Sequence, residues 1–183
     1  MSISRNMFII FVIPLIVIIS LYAWKEYKFQ ELRAINQLSE QTNQALFSLI
    51  SLQEILERPD WENEKYQKEV LQSLESFHLE ASESFYIANQ KKRYLPDEIF
   101  VTIYKLNLVT LYIYDNYEEP LRKFGMQDTE KRQQTALNFS NDINDANFKN
   151  FTIDLYTDES IRNSWYYLNA EISKYIETNI KSN

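Results

Sequence analysis

Apolar residues along this chain follow two regimes. From Met7 to Trp24, MFIIFVIPLIVIISLYAW, they form one unbroken stretch without a charge. As a helix that stretch reaches ~27 Å, about one bilayer core. Beyond Trp24 they recur singly, at helical spacing, among acidic and amide side chains. Ile35, Leu38, Thr42, Ala45, Leu49, Leu52 and Leu56 repeat 3-4-3-4-3-4, a heptad seam that Leu46, Ile50 and Ile55 widen toward a bundle face. Arg58-Pro59-Asp60 ends this helix, and Asp60 is placed to cap the next.

A second helix is expected over 61–89, with Tyr66, Val70, Leu74, Phe77, Ala81, Phe85 and Ala88 on one stripe. A third is expected over 97–124. Its core, Ile99 to Tyr114, is rich in β-branched and aromatic residues that suit a strand. With no turn signal anywhere inside it, this core is too long for one ordinary strand, so a buried helix is expected. Gly125, the chain's single glycine, sits where a left-handed cap would close that helix. After Asp128 a fourth helix places Ala136, Phe139, Ile143 and Ala146 on one side, and its asparagines (138, 141, 144, 147 and 150) predict fraying. Residues 150–157 read as a loop, and Asp158 is the expected cap of a last helix with Ile161, Trp165, Leu168, Ile172 and Tyr175 inward. The fold class expected is all-α: a single N-terminal transmembrane helix (residues 1–24), then an antiparallel bundle of four or five helices (25–183).

A cleaved signal peptide would also begin with a basic residue, here Arg5, and an apolar run. Cleavage after Ala23 or Ser20 would put Leu21 or Ile18 at the −3 position, so the segment is expected to stay as a signal-anchor. Tyr22, Trp24 and Tyr27 fall where an interfacial aromatic belt lies. Lys25, Lys28 and Arg33 outnumber Arg5 and would hold the domain in the cytoplasm. Long domains translocate largely regardless of such charges, so a single-pass topology with the N-terminus inside and the domain outside is favoured. In an antiparallel bundle the second helix returns Lys91, Lys92 and Arg93 to the membrane side, where they would contact anionic lipid or simply complement a helix C-terminus.

Composition excludes more than it assigns. Eighteen of 19 basic residues and all 26 acidic ones follow Trp24, leaving the domain at −8, which argues against nucleic acid as a partner. Zero cysteines exclude disulfides and thiolate chemistry. One glycine rules out phosphate-cradling loops and dinucleotide fingerprints. His78 is the only histidine, and Glu75-x-x-His78 alone cannot build a di-iron site. Asp142, Asn144, Asp145, Asp154 and Asp158 lack calcium-loop spacing. Asn138-Phe139-Ser140 and Asn150-Phe151-Thr152 are glycosylation sequons of the number chance supplies. No catalytic residue, metal or cofactor is assigned, and no enzyme is expected.

Thirteen tyrosines and three tryptophans include two tight groups, Tyr112, Tyr114, Tyr117 and Trp165, Tyr166, Tyr167. Neighbours on a helix point about 100° apart, so some of each group are expected on the surface as a partner face. The layout resembles, in architecture alone, the anchored four-helix sensor modules of bacterial receptors, without their returning second span. Three function classes follow: an envelope interaction protein (scaffold or accessory subunit), a ligand- or stress-sensing bundle acting on a separate membrane partner, and an acidic inhibitor or immunity-type protein binding a basic effector. The partners expected are membrane lipid through the first helix and another protein, with homo-oligomers compatible.

Overall fold

The computed structural model describes residues 5–146 and 151–181, with side chains from residue 11 onward. Every regular element among them is helical: α1 (Arg5–Leu56), α2 (Glu64–Lys91), α3 (Asp97–Arg122), α4 (Thr129–Asp145) and α5 (Asp158–Tyr175). Short 3-10 turns follow α2 (Lys92–Tyr94) and α3 (Phe124–Met126), and a π turn (Ile176–Ile180) extends α5.

α1, α2 and α3 form the body of the bundle. All seven members of the Ile35–Leu56 seam are buried, as are the α2 stripe residues apart from the half-buried Phe85. The β-rich stretch of α3 is helical because burial overrides propensity: Ile99, Ile103, Leu106, Val109 and Ile113 all lie in the core. Thr102 and Thr110 satisfy their hydroxyls internally, donating to the carbonyl oxygens of Glu98 (2.7 Å) and Asn107 (2.9 Å).

Several boundaries differ from the sequence expectation, each for a local reason. α2 is capped by Asn63, whose side chain accepts from the Lys65 N–H, and not by Asp60. α5 is capped by Thr157, which exchanges hydrogen bonds with Ser160 in a capping box, so Asp158 is the first helical residue rather than the cap. Gly125 has no positive φ; it lies inside a 3-10 turn and is not a left-handed cap.

The larger difference concerns α5, which is not antiparallel to its neighbours. Gln53 donates to the carbonyls of Ile143 (2.9 Å) and Ala146 (3.2 Å), satisfying orphan acceptors at the end of α4. The Asn43 side chain then pairs with both backbone groups of Ile153, accepting from its N–H at 2.7 Å and donating to its carbonyl at 3.0 Å. Arg162 meets Glu31 at 3.6 Å. Positions 53, 43 and 31 are separated by ~15 and ~18 Å along α1. Residues 151–157 therefore run down the side of α1 without regular structure, and α5 climbs back parallel to α1 and α3. Lys105 of α3 bonds Asn169 (2.9 Å) and Ser173 (2.8 Å), which ties α5 to α3 as well. Asn43→Ala strands two buried backbone groups of Ile153, at ~1–3 kcal/mol. The melting temperature is expected to fall by about 5 °C, with faster exchange of the Ile153 amide; unchanged exchange there would show that the segment is held by other contacts.

The expected N-terminal span is not supported by the described residues: no helix among them is long and apolar enough to cross a membrane. The apolar run begins at Met7, and the side chains of Met7, Phe8, Ile9 and Ile10 lie outside the described set, as does Asn150 of the second sequon. Phe11–Trp24 alone reaches about 21 Å as a helix. Those residues form an apolar rod continuous with the bundle helix. Apart from the half-buried Val12, its large apolar side chains are exposed on every face, from 49% at Val17 to 72% at Tyr22.

Candidate site at the base of the bundle

α1 enters the bundle at Glu31, the first buried residue along its described side chains. Just below, Tyr27 is held by the turn after α2. Its hydroxyl donates to the Arg93 carbonyl (3.3 Å), and its ring lies 5.9 Å from that of Tyr94 at 50°. The turn forms there because Pro96 lacks an N–H and forces Leu95 to extended geometry (φ −94, ψ 138). Lys92 and Arg93 point outward, each over an aromatic face. Lys92 Nζ is 4.7 Å from the Phe100 centroid, and the Arg93 guanidinium is 4.4 Å from the Tyr94 centroid while also bonding its hydroxyl. Such contacts fix the direction of a cation without neutralising it. Among the described residues Lys91, Lys92 and Arg93 form no ion pair. Of the two residue groups expected separately from the sequence, Tyr22, Trp24, Tyr27 and Lys91, Lys92, Arg93, the structure brings only Tyr27 and Arg93 into contact, at this turn.

On another side of α1, Lys28, Glu31, Leu32, Ile35, Asp158, Ile161 and Arg162 line a cleft of about 270 Å³. Glu31, 9% exposed, pairs with Lys28 (2.6 Å) and Arg162 (3.6 Å) and ties the start of α5 to α1. Its walls carry two cations, Lys28 and Arg162, two carboxylates, Glu31 and Asp158, and the apolar Leu32, Ile35 and Ile161, a lining suited to charge recognition.

The expected aromatic partner faces divide. Trp165 is not on the surface: it is 1% exposed, and its indole N–H donates to Ser39 Oγ at 3.1 Å. Tyr166 and Tyr167 are exposed and meet edge to face at 5.7 Å. Tyr112, Tyr114 and Tyr117 are half-buried against the core and do not form a free face. Tyr117 donates to Asp142 Oδ2 at 2.6 Å. Burial, then that bond and the Asp142 charge, push its phenol well above the ordinary 10. Asp142 is itself raised, chiefly by burial, with the Tyr117 bond opposing.

His78 stacks on Tyr114 (4.3 Å, 17°), and its Nδ1 is buried without a hydrogen-bond partner. Glu75 pairs instead with Arg122. Among the described residues no group of three His, Asp or Glu comes together to hold a metal. Burial lowers the His78 pKa below 6.5, with Asp115 pulling the other way. The folded state thus favours neutral imidazole, so the contribution of His78 to stability is present above pH 6.5 and lost as pH falls below it. An NMR titration is expected to place the His78 midpoint below 6.5, and His78→Gln to flatten melting temperature between pH 7 and 5. A midpoint above 6.5 contradicts the geometry.

Compared with known proteins, the chain matches no family model, no curated protein and no solved structure. The pairing of Tyr27 with Arg93 and Tyr94 was legible only as a consequence of antiparallel packing. The buried amides Asn43 and Gln53 carry no sequence signature at all, being polar residues one position off a heptad seam.

Proposed function

We propose that the chain is a membrane-anchored helical-bundle interaction protein, a scaffold or accessory subunit of a cell-envelope complex. Binding, not catalysis, is its role. The single observation that supports this reading is the rod of Phe11–Trp24, whose exposed apolar side chains surround the helix and leave no face for water. A soluble helix needs a polar side; one apolar all round is covered by lipid or protein. Adding Met7–Ile10 from the sequence extends the run to ~27 Å, about one bilayer core.

The turn that holds Tyr27 fits the same placement. Tyr22, Trp24, Tyr27 and Tyr94 lie where rings would sit at a headgroup boundary, and Lys25, Lys91, Lys92 and Arg93 would face lipid headgroups. The long acidic domain favours the orientation with the N-terminus inside and the bundle outside. Met126 lies in the turn after α3 and is 89% exposed. In a chain with no cysteine, Met126→Cys gives a unique thiol. Labelling of that thiol by a membrane-impermeant maleimide on intact cells is the expected outcome. Labelling only after lysis would put the bundle in the cytoplasm and overturn the envelope assignment.

A further inference from the structure

We propose that the outward face of α3 is a docking strip for an amphipathic helix of another protein, one with basic residues at both ends of its apolar stripe. This names the partner surface of the interaction reading above and rests on it. Asp97, Val101, Tyr104, Leu108, Leu111 and Asp115 are spaced 4-3-4-3-4, which sets them in one row along the helix. Thr102, Ile103, Leu106, Val109 and Ile113 occupy the opposite, buried side. Both flanks of α3 are taken as well: Tyr114 stacks on His78 of α2, and Lys105 bonds Asn169 and Ser173 of α5. Val101, Leu108 and Leu111 of the row therefore face away from the bundle, while Tyr104 and Asp115 edge toward Phe85 and His78 of α2. Val101, Tyr104, Leu108 and Leu111 are 43, 47, 37 and 36% exposed. This is a seam of the kind that buries α1, repeated on a face whose one ring contact is Tyr104 leaning on Phe85 of α2 at 6.1 Å.

Charge selects the occupant. Asp97 and Asp115 bracket the apolar row about 27 Å apart, both exposed and neither in an ion pair among the described residues. A second copy of this face, laid antiparallel, would set Asp97 against Asp115 at both ends; laid parallel, it would pair each aspartate with itself. Like charges directly opposed disfavour either arrangement. A helix with leucine-type residues at the same spacing and Lys or Arg at a matching separation satisfies both the row and its ends.

The test uses the full chain in detergent micelles and two synthetic peptides, each long enough as a helix to cover the row and both aspartates. Both carry leucines at 3-4 spacing; one has lysines at its ends, the other glutamates. The lysine peptide is expected to bind at least tenfold tighter by fluorescence anisotropy. Leu108→Asp should weaken it at least tenfold without changing the melting temperature, and Asp97→Lys with Asp115→Lys should reverse the preference. Equal binding of both peptides, or indifference to Leu108→Asp, overturns the strip. So does a concentration-dependent dimer broken by Leu108→Asp, which would assign the face to a second copy. Photocrosslinkers placed at Leu108 and at Tyr166 in native membranes separate the two levels of inference. Adducts from Tyr166 alone would overturn the strip and leave the interaction reading standing; adducts from neither would overturn both. An adduct at Leu108 that disappears with Asp97→Lys and Asp115→Lys supports the strip.

Discussion

Replacing Ile16 and Ile19 with arginine should move the protein from the alkaline-washed membrane pellet to the soluble fraction. Both residues lie inside the apolar rod, 57 and 58% exposed, and neither belongs to the core. Each arginine near the centre of a spanning helix costs about 2.5–3.5 kcal/mol on insertion scales. Two together are enough to shift partitioning by roughly three orders of magnitude or more. The bundle should not notice, because its first buried residue, Glu31, is more than three turns away. Melting temperature and helical circular dichroism are therefore expected to stay unchanged. The alkaline wash matters: it strips chains held only by Lys91, Lys92 and Arg93 on lipid headgroups and leaves chains that span. A double variant that stayed in the pellet would show that the rod is not what holds the protein there. A wild-type chain that washed off as an oligomer would show instead that the rod is covered by copies of itself.

Much of the bundle was legible because one physical signal, apolar residues at 3-4 spacing, dominates helices that bury a single face. The seams of α1, α4 and α5 were complete in the sequence, including Thr42, a threonine that is fully buried and sits 3.5 Å from Ser84. What spacing cannot express is the direction of α5. Nothing local distinguishes a parallel from an antiparallel final helix; the choice is made by Gln53 and Asn43, which fasten the end of α4 and Ile153 down the side of α1. Caps fall a few positions from where the sequence alone puts them for a related reason. Asp60, Asn63, Thr157 and Asp158 are all competent, and the tertiary position of the first turn decides among them. The α5 aromatic cluster follows from the same spacing signal. Consecutive rings must diverge around a helix, and the seam of Ile161, Leu168 and Ile172 already sets Trp165 inward and leaves Tyr166 and Tyr167 exposed. The phase puts the largest ring inside.

That ring is the largest fully buried side chain among the described residues. Trp165→Ala is expected to lower the melting temperature by about 10 °C or more, from a cost of ~3–5 kcal/mol at roughly 2–4 °C per kcal/mol for a domain of this size. Two losses combine. The cavity left by an indole 1% exposed has no flexible loop to fill it, since it lies between α5 and the α1 seam. Ser39 Oγ, fully buried, also loses the indole N–H that donates to it at 3.1 Å. Trp165→Phe keeps most of the volume and removes only the donor, so it should fall between the wild type and Trp165→Ala. Ser39→Ala alone strands the indole N–H and should cost ~1–3 kcal/mol, while adding it to Trp165→Phe should cost little more, because the two share one hydrogen bond. The damage should be uneven. α5 reaches α1 chiefly through this contact and the Glu31–Arg162 pair, so amides of α5 and the segment before it should lose exchange protection first, with the α2–α3 pair retaining its own. A Trp165→Ala variant that melts within about 3 °C of the wild type, equivalent to roughly 1 kcal/mol, would mean that α5 does not dock on α1 through this ring. The parallel placement of the last helix would fall with it.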